Sequence, residues 1–183
     1  MKVIKPPKLT IGDTIGIVAS SLPVLASFKE NYERGKKILT DLGFKIKEGK
    51  TIGKIRGWAA GTPKEVAEDI NAMFKDKSIK AIMAQTGGYS AVTVLEYLDY
   101  RLIAKNPKPY IGMSDVTNFH LAFFTKTGLV GCHMDDVTFG FGGIKPEEEN
   151  LLEVDKQFFL EFLTKTSAPG VVNPLTDWEQ CKK

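Results

Sequence analysis

The segment Pro109-Tyr110-Ile111-Gly112-Met113-Ser114-Asp115-Val116-Thr117 runs from a short apolar stretch straight into an amphipathic one, and Gly128 stands just past the end of the latter. The apolar part reads as a buried strand ending at Ser114, and Asp115 to Thr127 as a helix closed by that glycine. The same alternation continues towards the N-terminus. Ile79 to Ala84 is an apolar run that ends in Gln85-Thr86-Gly87-Gly88-Tyr89-Ser90. Thr14 to Ala19 is another, led in by Gly12-Asp13 and broken by Ser20-Ser21-Leu22-Pro23. Strands that alternate with helices in this way predict an α/β domain with a doubly wound, mainly parallel sheet flanked by helices.

The connecting elements carry their own signals. Tyr32, Gly35, Ile38, Leu39 and Leu42 fall at helical spacing between Glu30 and Leu42, with Gly43 at the C-terminal stop and Phe44 to Lys47 as a short strand. Thr62-Pro63-Lys64-Glu65 has a capping Thr, a Pro at the first helical position and a carboxylate three residues after the cap, so a helix starts there and runs to about Lys75. A helix through Val92, Leu95 and Leu98 and a short helical piece from Asp99 to Ala104 follow, ended by Asn106-Pro107. Leu129 to Cys132 reads as a strand, Phe139 to Gly143 as a loop and Glu147 to Leu163 as a last helix. From Thr164 the composition turns to Pro, Ser, Asn and Thr, so residues 1–163 are expected to form one domain and 164–183 a linker.

Composition narrows the functional classes. The 183 residues are 43% hydrophobic and 26% charged, which is ordinary globular usage with enough length for a core. Lys and Arg number 25 against 22 acidic residues, a net charge of +3 spread singly and in pairs, so no nucleic-acid footprint is present. No stretch approaches the ~20 apolar residues that span a bilayer, and the N-terminus lacks a signal-peptide core. Cys132 and Cys181 lie far apart, which indicates no disulfide framework and fits a reducing, cytoplasmic setting.

Chemistry is concentrated at two strand ends. A serine between a buried strand and a helix can sit on a tight turn with its hydroxyl exposed beside the helix N-terminus, where the next amide and the helix dipole favour an oxyanion. Val116 replaces the second glycine of a full GxSxG pattern, and the local sequence by itself favours Ser114 or Asp115 as a helix cap. Gly87-Gly88 stands at the neighbouring strand end, where glycine lets the main chain approach a ligand, although a plain tight turn uses the same pair. Neither histidine is a convincing base. His120 follows Ser114 by six residues on the same helix and points to another face, and His133 lies beyond a strand end. Cys132-His133 followed by Asp135-Asp136 matches no common zinc spacing, so no metal is expected.

Read together, these segments resemble the serine LD-carboxypeptidase family of the murein tetrapeptide and microcin-immunity type. The resemblance rests on Gly12 to Ala19 with Ser20-Ser21, Ala60-Gly61-Thr62-Pro63-Lys64-Glu65 with Ala67 to Asn71, and Gly87-Gly88-Tyr89. It continues through Leu95 to Tyr100, Asn106-Pro107-Lys108, Gly112 to Thr117 and Lys126 to Val130, over roughly residues 7 to 145. It implies a fold of the flavodoxin-like or class I amidotransferase-like kind, a metal-free and cofactor-free hydrolase, and a homodimer acting on a small peptide or peptidyl-nucleotide. By position it implies Ser114 as nucleophile, the Gly88 and Asp115 amides as oxyanion hole, and Gly87 and Tyr89 against the substrate.

The family's remaining catalytic Glu and His belong to a C-terminal domain, which is absent from this chain, so the chain alone is expected to be inactive. The chain departs from the family pattern at Thr86, where many members have Arg, at Ser90 and its neighbours, where the microcin-immunity branch has asparagines, at Met113 in place of Tyr, and at His133-Met134-Asp135-Asp136, where a Gly-Pro pair is common. Two alternatives stand beside the hydrolase reading. One is a non-catalytic binding or regulatory module of the same fold, and the other, on fold analogy alone, is a flavin- or nucleotide-binding domain.

Overall fold

Among the described residues five strands pair in parallel, in the order β2-β1-β3-β4-β5. They are β1 (Thr14–Val18), β2 (Lys45–Glu48), β3 (Ile79–Ala84), β4 (Tyr110–Gly112) and β5 (Cys132–His133). This computed structural model describes residues 2–24, 26–165 and 167. The apolar runs become strands because both faces of the sheet are covered, so the residues along β1 and β3, apart from Thr14 and Lys80 near their starts, need an apolar neighbour whichever way they point. Adjacent residues of one strand therefore enter different cores. Ile82 and Ala84 pack with Val66, Ile70 and Phe74 of α2 (Pro63–Lys75) and Phe119 and Phe123 of α5 (Thr117–Thr127). Ala81 and Met83 pack instead with Tyr32 and Leu39 of α1 (Lys29–Asp41) and Phe159 and Leu163 of α6 (Glu149–Thr164). This is the doubly wound α/β arrangement expected from the alternation.

The strand order decides where a ligand can enter. The chain leaves β1 towards β2 on one side and returns to place β3 on the other, so a crevice opens between the carboxyl ends of β1 and β3. Ser20-Ser21 and Gly87-Gly88 lie at those two ends, and Ser114 lies at the end of the next strand.

Most helix boundaries follow the local signals. The Thr62 hydroxyl accepts the Glu65 amide at 3.2 Å while the Glu65 carboxylate accepts the Thr62 amide at 2.8 Å, the reciprocal pair read from Thr-Pro-Lys-Glu. Gly128 closes α5 in the left-handed conformation, φ 83°. Three segments differ from expectation. The helix expected through Leu98 is instead α3 (Ala91–Val94) and a 3-10 turn over Leu95–Tyr97, while the expected short piece after Asp99 is α4 (Tyr100–Lys105). The Tyr100 hydroxyl takes the Leu95 carbonyl at 2.7 Å and Leu98 is extended, which stops the helix.

Leu129 does not pair with β4. It bridges Ile4, with the Val130 amide donating to the Ile4 carbonyl at 3.0 Å, because the register of three-residue β4 reaches only Cys132 and His133. The expected loop around Phe139 contains one wide π-type turn, Val137–Phe141, because the Asp136 carboxylate accepts the Phe139 amide at 2.7 Å and the Gly140 amide at 3.2 Å. The last helix ends at Thr164, and the expected linker from 164 to 183 otherwise lies outside the described residues, save 165 and 167.

Candidate active site

At the carboxyl end of β4 the backbone turns sharply. Met113 is extended, Ser114 has φ 59°, and a 3-10 turn over Ser114–Val116 leads into α5. Ser114 is the only non-glycine residue with positive φ among the described residues. A left-handed residue with a side chain is strained by about 1–3 kcal/mol, and such strain persists only where the surroundings impose it. A helix cap needs no such geometry, since its backbone is ordinarily extended. The Ser114 hydroxyl takes up no described hydrogen bond and is exposed, and the Asp115 carboxylate reaches away from the first amides of α5. The cap reading that the local sequence favours is therefore replaced by a strained elbow.

The glycine pair lies against this elbow. A Cβ placed on Gly87 would stand 2.9 Å from Ser114 Cβ, 3.1 Å from its Oγ and 3.4 Å from the Asp115 amide nitrogen. Only a bare main chain fits there. Gly88 has φ 149°, and a Cβ on it would come 2.4 Å from Ser21 Oγ. The structure thus gathers Gly87, Gly88, Ser114 and Asp115 at one place, and among the described residues neither the Gly88 nor the Asp115 amide donates to a protein acceptor. Tyr89 projects from the same loop with 79% of its surface exposed.

Sequence reasoning missed what ties these loops together. Asp115 Oδ2 accepts the Ser21 hydroxyl at 2.6 Å and the Ala91 amide at 2.9 Å, and Oδ1 accepts from the Asn118 side chain at 2.8 Å. Ser21 Oγ in turn accepts the Ser90 amide at 3.0 Å and lies 3.2 Å from the Ser90 hydroxyl. With the Ser21 proton committed to Asp115, the Ser90 hydroxyl is the donor of that last pair. Ser21 and Ser90 are both buried, and their burial 69 residues apart has no signature in either local sequence.

A second set of bonds holds the other side. The Thr86 hydroxyl donates to Asp136 Oδ2 at 3.1 Å, Gln85 Nε2 donates to Thr138 Oγ1 at 2.7 Å, and the Thr138 amide donates to the Gln85 carbonyl at 3.0 Å. Burial pushes the Asp136 carboxyl up, against the lowering effect of the amides that bind it. Thr86 therefore anchors the glycine loop from beneath.

Neither histidine makes a described hydrogen bond with the Ser114 hydroxyl. His120 is buried, its Nε2 lies 2.9 Å from the Gly112 carbonyl oxygen, and burial holds its pKa below the usual range. The neutral ring consequently carries its proton on Nε2 and supports the last residue of β4. His133 is exposed, with its ring centre 6.1 Å from that of His120. Burial pushes the Cys132 thiol up to about 12, so it is not a thiolate, and among the described residues no three His, Cys, Asp or Glu side chains cluster as metal ligands. Beside the elbow a cavity of about 320 Å3 is bounded by Met113, His133, Asp135, Phe141, Asp155 and Phe159. Burial and the neighbouring Asp135 raise the Asp155 carboxyl to about 6, and burial with Asp136 raises Asp135.

The chain is similar to known proteins over most of its length. Residues 15–134 match the model of the LD-carboxypeptidase N-terminal domain. Among curated proteins, the Escherichia coli microcin C7 self-immunity protein MccF is 35% identical over 157 residues, covering 86% of this chain and 44% of that protein. A probable murein peptide carboxypeptidase of Bacillus subtilis is 31% identical, covering 94% of this chain and 52% of its own length. The chain thus spans about half the length of the curated relatives it matches. Among solved structures, MccF in complex with aspartyl sulfamoyl adenosine superposes with TM-score 0.81 at 34% identity, covering 89% of this chain and 48% of that one. With a strained serine at the end of β4, a bare glycine loop against it and relatives of this kind across most of its length, the chain belongs to the LD-carboxypeptidase family.

Proposed function

We propose that this chain is the nucleophile-bearing part of a serine hydrolase that cleaves amide bonds in small peptides, with Ser114 as the attacking group. The observation that carries the reading is the strained Ser114 backbone, φ 59°, with Gly87 packed against its side chain. In the mechanism, Ser114 Oγ attacks the carbonyl carbon and its proton passes to a base. The negative charge that develops on the carbonyl oxygen is met by the amides of Asp115 and Gly88, which point no bond elsewhere among the described residues. Both donors are backbone groups held before the reaction begins, so little reorganisation accompanies charge development. Gly87 and Tyr89 line the approach of the substrate.

Among the described residues no side chain bonds to the Ser114 hydroxyl as a base would. His120 spends its only donor on Gly112, and its depressed pKa opposes the charged state that a base must reach. In the family resemblance a Glu and a His of a C-terminal domain complete the triad, and residues 164–183 are then the linker towards it. On this reading the chain alone is inactive, since loss of a triad member costs several orders of magnitude in rate. The substrate is a murein LD-peptide or a microcin-like peptidyl-nucleotide, in line with what the relatives' names and ligands describe. The full assembly is a homodimer in a reducing, cytoplasmic setting. No helix of the described residues is long and apolar enough to cross a membrane.

The test is hydrolysis of an LD-tetrapeptide by this chain, alone and fused to the C-terminal domain of a relative. Release of the terminal D-amino acid is expected only from the fusion, and is expected to vanish in its Ser114→Ala form. Serine-dependent turnover by the chain alone would overturn the claim of inactivity. A folded fusion that never turns over would favour the non-catalytic binding module.

A further inference from the structure

The Gly87-Gly88 loop has no side chain with which to hold itself, yet the proposed mechanism needs its amide at a set distance from that of Asp115. We propose that the Asp115 carboxylate and the Ser21 hydroxyl are positioning groups that fix the spacing between the Gly88 and Asp115 amides. The inference rests on reading those amides as the oxyanion donors, and it assigns a role to two side chains that the mechanism does not otherwise use.

Each link is short and sheltered. The Leu22 amide donates to the Gly87 carbonyl at 3.0 Å, and the Ser90 amide donates to Ser21 Oγ at 3.0 Å, so residues 21 and 22 grip the loop on both sides of Gly88. Gly88 itself packs on Ser21 Oγ, where a Cβ would find only 2.4 Å. The Ser21 hydroxyl then donates a hydrogen bond to Asp115 Oδ2 at 2.6 Å, the length of a charge-assisted bond. Ser21 is buried and Asp115 half-buried, which limits the competition of water for that bond. The carboxylate stands on the same residue whose amide is the other donor, so the chain of contacts runs from one donor to the other without leaving the site. The Ala91 amide, which binds the same oxygen at 2.9 Å, adds the start of α3 as a third fixed point.

A helix cap alone does not account for this. Capping α3 needs the Ala91 bond only, whereas Ser21 belongs to the loop after β1 and to no helix. The arrangement spans the crevice between β1 and β3 and reaches β4, the three strand ends at which the substrate would sit.

Two variants of the chain test the proposal by 15N relaxation dispersion. Ser21→Ala deletes the hydroxyl, and Asp115→Asn weakens the carboxylate while leaving the backbone amide in place. The expected result is new millisecond exchange at Gly88 and Asp115 in both, with the amides of Ile82 and Met83 in the central strand as protected as in the parent. Unchanged, flat profiles at Gly88 and Asp115 would overturn the proposal. Should Ser21→Ala fail to fold, Asp115→Asn carries the same comparison.

A second measurement separates this claim from the reading beneath it. Phenylboronic acid can form a tetrahedral adduct on Ser114, detected by 11B NMR and absent in Ser114→Ala. Its affinity is expected to fall about tenfold in Ser21→Ala and to recover in Ser21→Thr, which restores the hydroxyl. Equal affinity across the Ser21 variants would sink the positioning role while leaving the oxyanion donors in place. No adduct on the parent would count against the donors, and the dispersion profiles would still decide whether Ser21 and Asp115 hold the two amides.

Discussion

Ser114 shows how far one residue can be read from its neighbours. Ser-Asp before a helix is a preferred cap, and nothing in the nine-residue segment announces φ 59°. The left-handed turn becomes possible because Gly87 keeps its backbone clear of the Ser114 side chain, and that glycine lies 27 positions away by the numbering. Strain at this position predicts an unusual sign for a glycine substitution. Ser114→Gly is expected to raise the unfolding free energy by about 0.5–1 kcal/mol in urea titration, where glycine at an ordinary helical position lowers it. A loss of stability would remove the strained-elbow account. Gly87→Ala is expected to do the reverse, costing about 1–3 kcal/mol because its methyl would press on Ser114 Cβ at 2.9 Å. The same titration measures it.

At the scale of elements, local chemistry was legible wherever a helix end carries its own partners. Thr62 and Glu65 satisfy each other across one turn, so Thr-Pro-Lys-Glu predicts the start of α2 without help from the rest of the chain. Thr62→Ala is expected to cost about 1 kcal/mol, a fall of roughly 2–4 °C in Tm for a domain of this size. Differential scanning calorimetry would show it. Where the partner comes from elsewhere the sequence was silent. The turn at Val137–Phe141 exists because buried Asp136 binds two of its amides, and α3 stops after Val94 as Leu98 turns extended and Tyr100 takes the Leu95 carbonyl. Leu129 joins Ile4 rather than β4 for a similar reason, since register and strand length are properties of the sheet.

For the whole molecule, packing brings groups together whose charges then depend on pH. Asp155 of α6 and Asp135 after β5 meet at the cavity beside the elbow, and burial with the Asp135 charge lifts Asp155 to about 6. A carboxyl whose folded pKa exceeds its unfolded value binds its proton more tightly in the native state, so stability is lost as pH rises from about 4 to 6. Asp155→Asn is therefore expected to raise Tm at pH 7.5 by about 1–3 °C, a figure reduced for the partial exposure of the group, and to change it little at pH 4. Thermal melts at the two pH values check this, and an equal shift at both would refute it. By itself the sequence determined the α/β class, the strand identities along the apolar runs, the cap of α2, the family and the candidate serine with its glycine pair. These follow from apolar periodicity, short-range hydrogen bonding and motif order, all of which act within a few residues or persist as a pattern. Only the tertiary structure decided that Ser114 is strained rather than capping, that His120 supports the Gly112 carbonyl, and that Asp115 and Ser21 bind the strand ends to one another. Those outcomes depend on contacts between segments distant in the chain, where a buried polar group takes whatever partner the packing brings within reach.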